Sequence, residues 1–296
     1  MPERDRYIAG VPCWIDTSQP DPEAAVDFYS GLFGWEFESV MPPGAPGKYF
    51  MGRLGGRDVA AVSSIPEGVP ATAMWDTYVW VDSADETASR VRDAGGTVVK
   101  EPFDVMDSGR MAVFKDPEGA VFCVWQARSF RGAGVVNEPG SLNFNTLDTR
   151  DVDGAKRFYG AVFGWESIEL DGGVEMWTLP GYGDHLEQDD PELRKRLAEF
   201  GGPTGFEDVV ASINSITDDQ PQLAPQWGLT FSVEDADAVA KKAEELGATI
   251  VVPPLDAPWV RITVIADPQG ATFAASKFVA ENAGLGAQAD AAVRAG

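Results

Sequence analysis

The segment Phe28-Tyr29-Ser30-Gly31-Leu32-Phe33-Gly34-Trp35-Glu36 occurs twice, because Phe158-Tyr159-Gly160-Ala161-Val162-Phe163-Gly164-Trp165-Glu166 restates it 130 positions later. A chain that carries the same helix end twice is built by duplication, so a fold assigned to one half must also serve the other. Each copy reads as a short amphipathic helix that stops at a glycine and passes straight into a strand, with an aromatic pair packed over a sheet.

With 296 residues and 44% hydrophobic content, the chain can bury two ordinary cores. No apolar run approaches the roughly 18 residues of a membrane span. Charged residues near the start replace the apolar core of a signal peptide, so a soluble, cytoplasmic protein is expected. The 47 acidic residues against 23 basic ones give a formal charge of −24, which repels phosphate backbones and anionic bilayers. Neither nucleic acid nor membrane is expected as a partner; a small-molecule ligand is, on a monomer or homodimer. Two cysteines, Cys13 and Cys123, make no disulfide framework. The one histidine, His185, excludes any site that needs two or three imidazoles from one chain.

Along the chain, Val11 to Thr17 reads as a strand, Asp21 as a helix N-cap with Pro22 in the first turn, and Phe28, Leu32 and Phe33 as a buried stripe shared with Ala25. Three strands follow, at Trp35 to Val40, Lys48 to Leu54 and Val59 to Ile65. The order strand, helix, three strands recurs from Met74, from Leu142 and from Trp227. This predicts an α+β protein of four tandem βαβββ modules. The first domain spans residues 1–128 and the linker, Gly-rich and without period, 129–140. The second domain spans 141–278, with an insertion at 181–205 that holds His185, and the tail from 279 to 296 is expected to be flexible.

The four modules, the two FY…FGWE helix ends and the paired turns Asp116-Pro117-Glu118-Gly119-Ala120 and Asp267-Pro268-Gln269-Gly270-Ala271 together resemble the vicinal oxygen chelate superfamily of glyoxalases, bleomycin-resistance proteins and extradiol dioxygenases, in its tandem two-domain form. The resemblance implies two cupped mixed sheets with helices on their outer faces, the first from modules one and two and the second from modules three and four. It places metal ligands on the first strand of each module and on the last strand. Those positions fall on Trp14, Asp76 and Cys123 in the first cup and on Phe144, Gly228 and Ala274 in the second. Iron, manganese, nickel and zinc want imidazole and carboxylate. No cofactor is therefore expected, and a divalent metal would have only Asp76 and Cys123 to hold it.

If Asp76 points into the first cup, strand alternation brings Tyr78 and Trp80 with it, and Trp14, Asp16, Cys123 and Trp125 line the same face. Trp80 and Trp125 either fill the cup or line a ligand pocket. Asp16, Asp76 and Cys123 are the catalytic candidates, a carboxylate in an apolar cup being a general base in waiting. Arg110 and Arg261, in equivalent places before the two turns, would hold a carboxylate or phosphate group or else make surface ion pairs. Phe144, Thr146 and Thr230 line the blander second cup. Two functions follow: capture of a small, partly aromatic or carbonyl-bearing molecule without the usual metal, or a glyoxalase-like lyase or other small-molecule enzyme of the superfamily. Ring-cleaving dioxygenation is disfavoured, because neither cup has the histidines it needs.

Overall fold

Asp21 and Asp151 each start a twelve-residue helix by accepting a backbone N–H with the side chain, from Ala24 at 3.2 Å and from Gly154 at 2.8 Å. Gly34 and Gly164 end those helices in the left-handed region, at φ 72° and 74°, where a Cβ would be strained. The architecture is that of a computed structural model, which describes residues 7–285 apart from 43, 69, 171–173, 200 and 201. The expected flexible tail beyond 285 lies outside the described residues.

Module one is β1 (Pro12–Gln19), α1 (Pro22–Phe33), β2 (Glu36–Ser39), β3 (Tyr49–Leu54) and β4 (Arg57–Ser64). Module two is β5 (Met74–Trp80), α2 (Ala84–Asp93), β6 (Thr97–Val105), β7 (Gly109–Lys115) and β8 (Val121–Ala127). Module three is β9 (Leu142–Thr149), α3 (Val152–Phe163), β10 (Glu166–Leu170), β11 (Val174–Thr178) and β12 (Val209–Ser215). Its insertion carries α4 (Tyr182–Leu186), α5 (Leu193–Glu199) and a 3-10 turn, Phe206–Asp208. Module four is β13 (Gln226–Ser232), α6 (Ala236–Glu245), β14 (Thr249–Ala257), β15 (Val260–Ala266) and β16 (Thr272–Phe278). The strands form two eight-stranded mixed sheets, ordered β2-β3-β4-β1-β5-β8-β7-β6 and β10-β11-β12-β9-β13-β16-β15-β14. The α+β class and the four βαβββ modules are as the sequence predicts.

The compact units cut across this order. One holds residues 7–13, Tyr78–Arg131 and Phe144–Trp227, which are mostly modules two and three; the other holds Trp14–Thr77, Gly132–Asn143 and the stretch from Gly228 on, which are mostly modules one and four. The repeated motifs explain the pairing. In the second of these units Tyr29 donates its hydroxyl to Asp267 Oδ2 at 2.8 Å, Gln19 Nε2 donates to the same oxygen at 2.7 Å, and Asp267 Oδ1 accepts the N–H groups of Gln269 and Ala271, both at 2.9 Å. Gln269 in turn holds the entry to α1, accepting from Asp21 N and donating to Asp21 O, both at 2.7 Å. In the other unit Tyr159 donates to Asp116 Oδ2 at 3.1 Å and accepts from Trp227 Nε1 at 2.8 Å. There Asp116 Oδ1 takes the N–H groups of Glu118, Gly119 and Ala120 at 2.8–3.0 Å, and Glu118 holds Arg150 N and Asp151 N at 3.0 and 3.1 Å. Each helix motif is thus bolted to a turn motif from a different module. Burial, and then the charge of the neighbouring carboxylate, push both tyrosine hydroxyls well above their ordinary range.

Three expectations change. The centre of the α1 stripe is Tyr29, fully buried among Phe28, Trp35, Trp75, Phe231 and Phe273, while Leu32 and Phe33 are only partly buried; the tyrosine goes inside because Asp267 is there to receive its hydroxyl. The linker is packed: Ala133 and Val135 are buried, Gly134 N donates to Asp58 O at 2.8 Å, and Trp35 Nε1 donates to Gly140 O at 2.8 Å. The start of the tail is ordered as a 3-10 helix, Ala280–Gly284, pinned by Asn282 Nδ2 to Val260 O at 3.0 Å.

Candidate functional site

Strands β1, β3 and β5 bring four of module one's and module two's side chains together. Thr17 Oγ1 donates to Met74 O at 2.8 Å, tying β1 to the start of β5. In the register of β3, β4 and β1, Asp16 lies beside Ala61 and Ala61 beside Met51, two residues from Tyr49. Trp14 Nε1 donates to Tyr49 Oη at 3.2 Å, and Tyr49 Oη donates to Asp16 Oδ2 at 3.0 Å. The chain has a fixed direction, since the indole can only donate and the carboxylate accepts. Trp14 and Asp16 are buried, at 3% and 5% exposure. Asp76 is half-buried, and its carboxyl is pushed up to about 8, first by loss of solvation and then by the charge of Asp16. Tyr49 is raised well above the tyrosine range by burial and then by Asp16, against the donated Trp14 N–H. The cluster can hold a proton near neutrality and offer it from Asp76.

Tyr49 is the member that sequence reasoning missed. Its partners lie 33 and 35 positions away, so only the strand register reveals it; the signal available was an aromatic residue at the start of a cup strand.

The other predicted site residues are distributed differently. Tyr78 lies beside Cys123, and Trp80 beside Trp125, in the parallel pairing of β5 with β8. Cys123 is 2% exposed, which denies its thiol the solvent access of a reactive nucleophile. Cys13 is also a buried thiol, raised by desolvation. Trp80 is half-buried and stacks on Tyr7 at 6.0 Å, while Trp125 is buried and donates to Phe130 O at 3.0 Å. A Cβ on Gly109 would stand 2.4 Å from the Trp125 ring. Gly109→Ala is therefore expected to displace the indole and cost about 1–3 kcal/mol, read as a lower denaturation midpoint and a shifted tryptophan emission.

Both arginines are committed to carboxylates. Arg110 holds Asp85 through two nitrogens, at 2.8 and 3.0 Å, and Asp104 at 3.0 Å, and it keeps Asp85 below the ordinary range. Arg261 repeats this with Asp237 and with Asp256 at 3.1 Å. The ion-pair alternative describes both, so neither is counted as a ligand-binding group. On module three, Phe144 packs edge-on to Phe206 at 6.5 Å and Thr146 Oγ1 lies 2.6 Å from Ser212 Oγ. Thr230 is buried, in register with Ala274. His185 stacks on Tyr182 of the same short helix, at 6.4 Å.

The positions that the resemblance assigns to a metal do not fit one. Trp14 spends its only polar hydrogen on Tyr49 and has no lone pair to give, and Phe144, Gly228 and Ala274 carry no donor atom. Among the described residues, no three His, Cys, Asp or Glu side chains are arranged to hold a metal ion. Nor, among them, is any helix long and apolar enough to cross a membrane.

Comparison with known proteins identifies the family. The family model of the Glyoxalase/Bleomycin resistance protein/Dioxygenase superfamily matches residues 14–124, and that of the Glyoxalase-like domain matches residues 145–276. CFP32 of Mycobacterium tuberculosis (strain CDC 1551 / Oshkosh), provisionally named a glyoxylase, is 37% identical over 282 residues, covering 94% of this chain and 98% of its own. The anthracycline biosynthesis protein DauV of Streptomyces sp. (strain C5) is 36% identical over 283 residues, covering 90% and 93%. Among solved structures, the 2,3-dioxygenase LapB from Pseudomonas sp. KL28 superposes with a TM-score of 0.59 at 13% identity, over 92% of this chain and 93% of that one. The Mn(II)-bound glyoxalase from Novosphingobium aromaticivorans does so at 0.56 and 14%, over 91% and 83%. These two share the fold. On the two domain matches and the full-length relatives, the chain belongs to the glyoxalase/bleomycin resistance protein/dioxygenase superfamily.

Proposed function

We propose that the cluster of Trp14, Asp16, Tyr49 and Asp76 binds a small, partly aromatic, carbonyl-bearing molecule without a metal, in place of the superfamily's metal chemistry. The observation that carries this reading is the carboxyl pair: Asp76, raised to about 8 beside buried Asp16, is a hydrogen-bond donor at neutral pH and can receive a carbonyl oxygen. Half-buried Tyr49, backed by the buried Trp14 indole, adds aromatic surface of the kind that captures aromatic ligands. The name of DauV, an anthracycline biosynthesis protein, supports an aromatic ligand.

Titration with a hydroxyanthraquinone, followed by quenching of tryptophan emission, tests it. Saturable binding is expected, at least tenfold weaker in Asp76→Ala, which removes the donor, whereas Asp76→Asn keeps a neutral donor and should retain binding but lose its pH dependence. Because Asp76 donates only while protonated, affinity should hold below about pH 8 and fall above it. Binding that ignores both Asp76→Ala and the pH would overturn the assignment.

A second reading, a glyoxalase-like lyase, is favoured by one feature: a carboxyl that titrates near neutrality suits proton transfer as well as binding. Turnover of methylglyoxal with a small thiol tests it. Activity is expected to collapse in Asp76→Asn; full activity in that variant would remove Asp76 from the chemistry.

A further inference from the structure

One row of side chains crosses five neighbouring strands, β2-β3-β4-β1-β5, on the face that carries the carboxyl pair. Ser18 of β1 lies beside Ser63 of β4, and Ser63 beside Tyr49 of β3. Val40, which follows β2, donates its N–H to Tyr49 O at 3.1 Å, and at the other end Thr17 Oγ1 holds Met74 O of β5 at 2.8 Å. The row therefore reads Val40, Tyr49, Ser63, Ser18, Met74, next to the row of Met51, Ala61 and Asp16. Phe50, Val62 and Trp75, which alternate with them along the strands, pack with Phe28 and Tyr29 of α1, so alternation turns both rows away from the helix.

The ends of the row are apolar and open. Val40 is 40% and Met74 43% exposed, while Tyr49, Ser63 and Ser18 between them are half-buried. A single exposed apolar side chain needs no explanation; two that bracket a half-buried tyrosine and a carboxyl pair mark the ends of one surface. The middle asks for no polar partner, because Ser18 Oγ and Ser63 Oγ share a hydrogen bond at 3.2 Å. At about 4.8 Å between neighbouring strands, four steps make the row about 19 Å long, more than one ring can cover. The cations that flank this part of β3 are committed, Lys48 to Glu23 and Arg53 to Glu38 and Asp58, so neither is left to receive an anionic ligand.

We propose that the ligand of this site is an uncharged, elongated molecule of roughly three fused rings, lying across the strands with its ends on Val40 and Met74 and its carbonyl edge toward Asp76. The inference rests on the carboxyl pair being a ligand site and adds the length and charge of what it takes. Met74 supplies a flexible, polarisable side chain that follows the end ring, and each end gains by removing apolar surface from water. A single ring reaches Tyr49 and the carboxyls but leaves at least one end exposed. The fold itself has no need of an apolar residue at the Met74 position, because β13 opens with Gln226 where β5 opens with Met74.

Quenching titrations of tryptophan emission on the full chain, with compounds that carry the same hydroxyl beside a carbonyl on one, two or three rings, test it: 2-hydroxyacetophenone, 1-hydroxy-2-acetonaphthone and 1-hydroxyanthraquinone. Kd is expected to fall about tenfold or more from the one-ring to the three-ring compound. Met74→Gln and Val40→Thr, both at exposed positions, should each weaken the three-ring compound about fivefold. The one-ring compound, which cannot reach both ends, should respond to at most one of them. The 2-carboxylate derivative of 1-hydroxyanthraquinone should bind more weakly than its parent. Equal affinity for one ring and three, a gain with ring number that survives both substitutions, or tighter binding of the carboxylate would each overturn the proposal. Asp76→Ala separates it from the reading beneath it. If that variant binds every compound as before, the carboxyl assignment fails and the proposal with it; if it abolishes binding while the gain with ring number ignores Val40 and Met74, only the length assignment fails.

Discussion

Asp267→Ala is expected to destabilise the protein by roughly 3–5 kcal/mol, the range for removing one member of a buried charged network. Asp267 is 4% exposed, and its loss strands the Tyr29 hydroxyl, one N–H of the Gln19 amide, whose other is held by Thr17, and two turn N–H groups at once. Tyr29→Phe removes a single donor and leaves the turn intact, so about 1–2 kcal/mol is expected. Urea unfolding of both variants measures the difference. If the two substitutions cost the same, the turn bonds contribute little, and Asp267 serves only as the tyrosine's partner.

The second large effect is a pH dependence with a defined sign. Asp76 has a folded value near 8 against an ordinary value of 3.8, so the folded state binds its proton more tightly than the unfolded state does. Its contribution therefore destabilises progressively as pH rises from about 4 to about 8, and is constant above that. Asp76→Asn removes the charge and keeps the shape, so it should stabilise the protein at pH 8 by on the order of 2–4 kcal/mol, below the linkage ceiling of ~1.4 kcal/mol per unit. At pH 4 the two proteins should melt together. Parallel melting curves across that range would mean that the carboxyl is solvated and ordinary.

Much of the fold was legible because its markers are local. A capping aspartate, a left-handed glycine and a period of two or of 3.6 each act within a few residues, so the helices at Pro22 and Val152 and the strand order could be read directly. The packing was not. That Tyr29 is buried depends on Asp267, 238 positions away, and nothing in the helix itself distinguishes a tyrosine at its core from one at its rim. The site divided in the same way. Trp14, Asp16 and Asp76 follow from strand alternation, but Tyr49 needed the β3–β4–β1 register. For Arg110 and Arg261 the sequence left anion holding and surface ion pairing open, and the structure pairs them with Asp85 and Asp237, each from the first turn of a helix. The linker misled because glycines at 132, 134 and 140 suggest freedom, while Ala133 and Val135 between them are anchored by burial.

The interleaving of the units along the sequence, with modules two and three falling between one and four, sets an order of events during synthesis. The unit of modules two and three is complete only once Trp227, on the first strand of module four, has emerged, and Tyr159 finds Asp116 already made. The unit of modules one and four closes last, because Tyr29 waits 238 positions for its acceptor, Asp267. Until then α1 presents an unburied aromatic face to the ribosome exit and to whatever chaperone meets it there. A chain stalled after Trp227 therefore yields one finished unit and leaves Trp14–Thr77 without the stretch from Gly228 on that completes the other. Such a product is a candidate for proteolysis or for trading α1 with a second copy in the same condition.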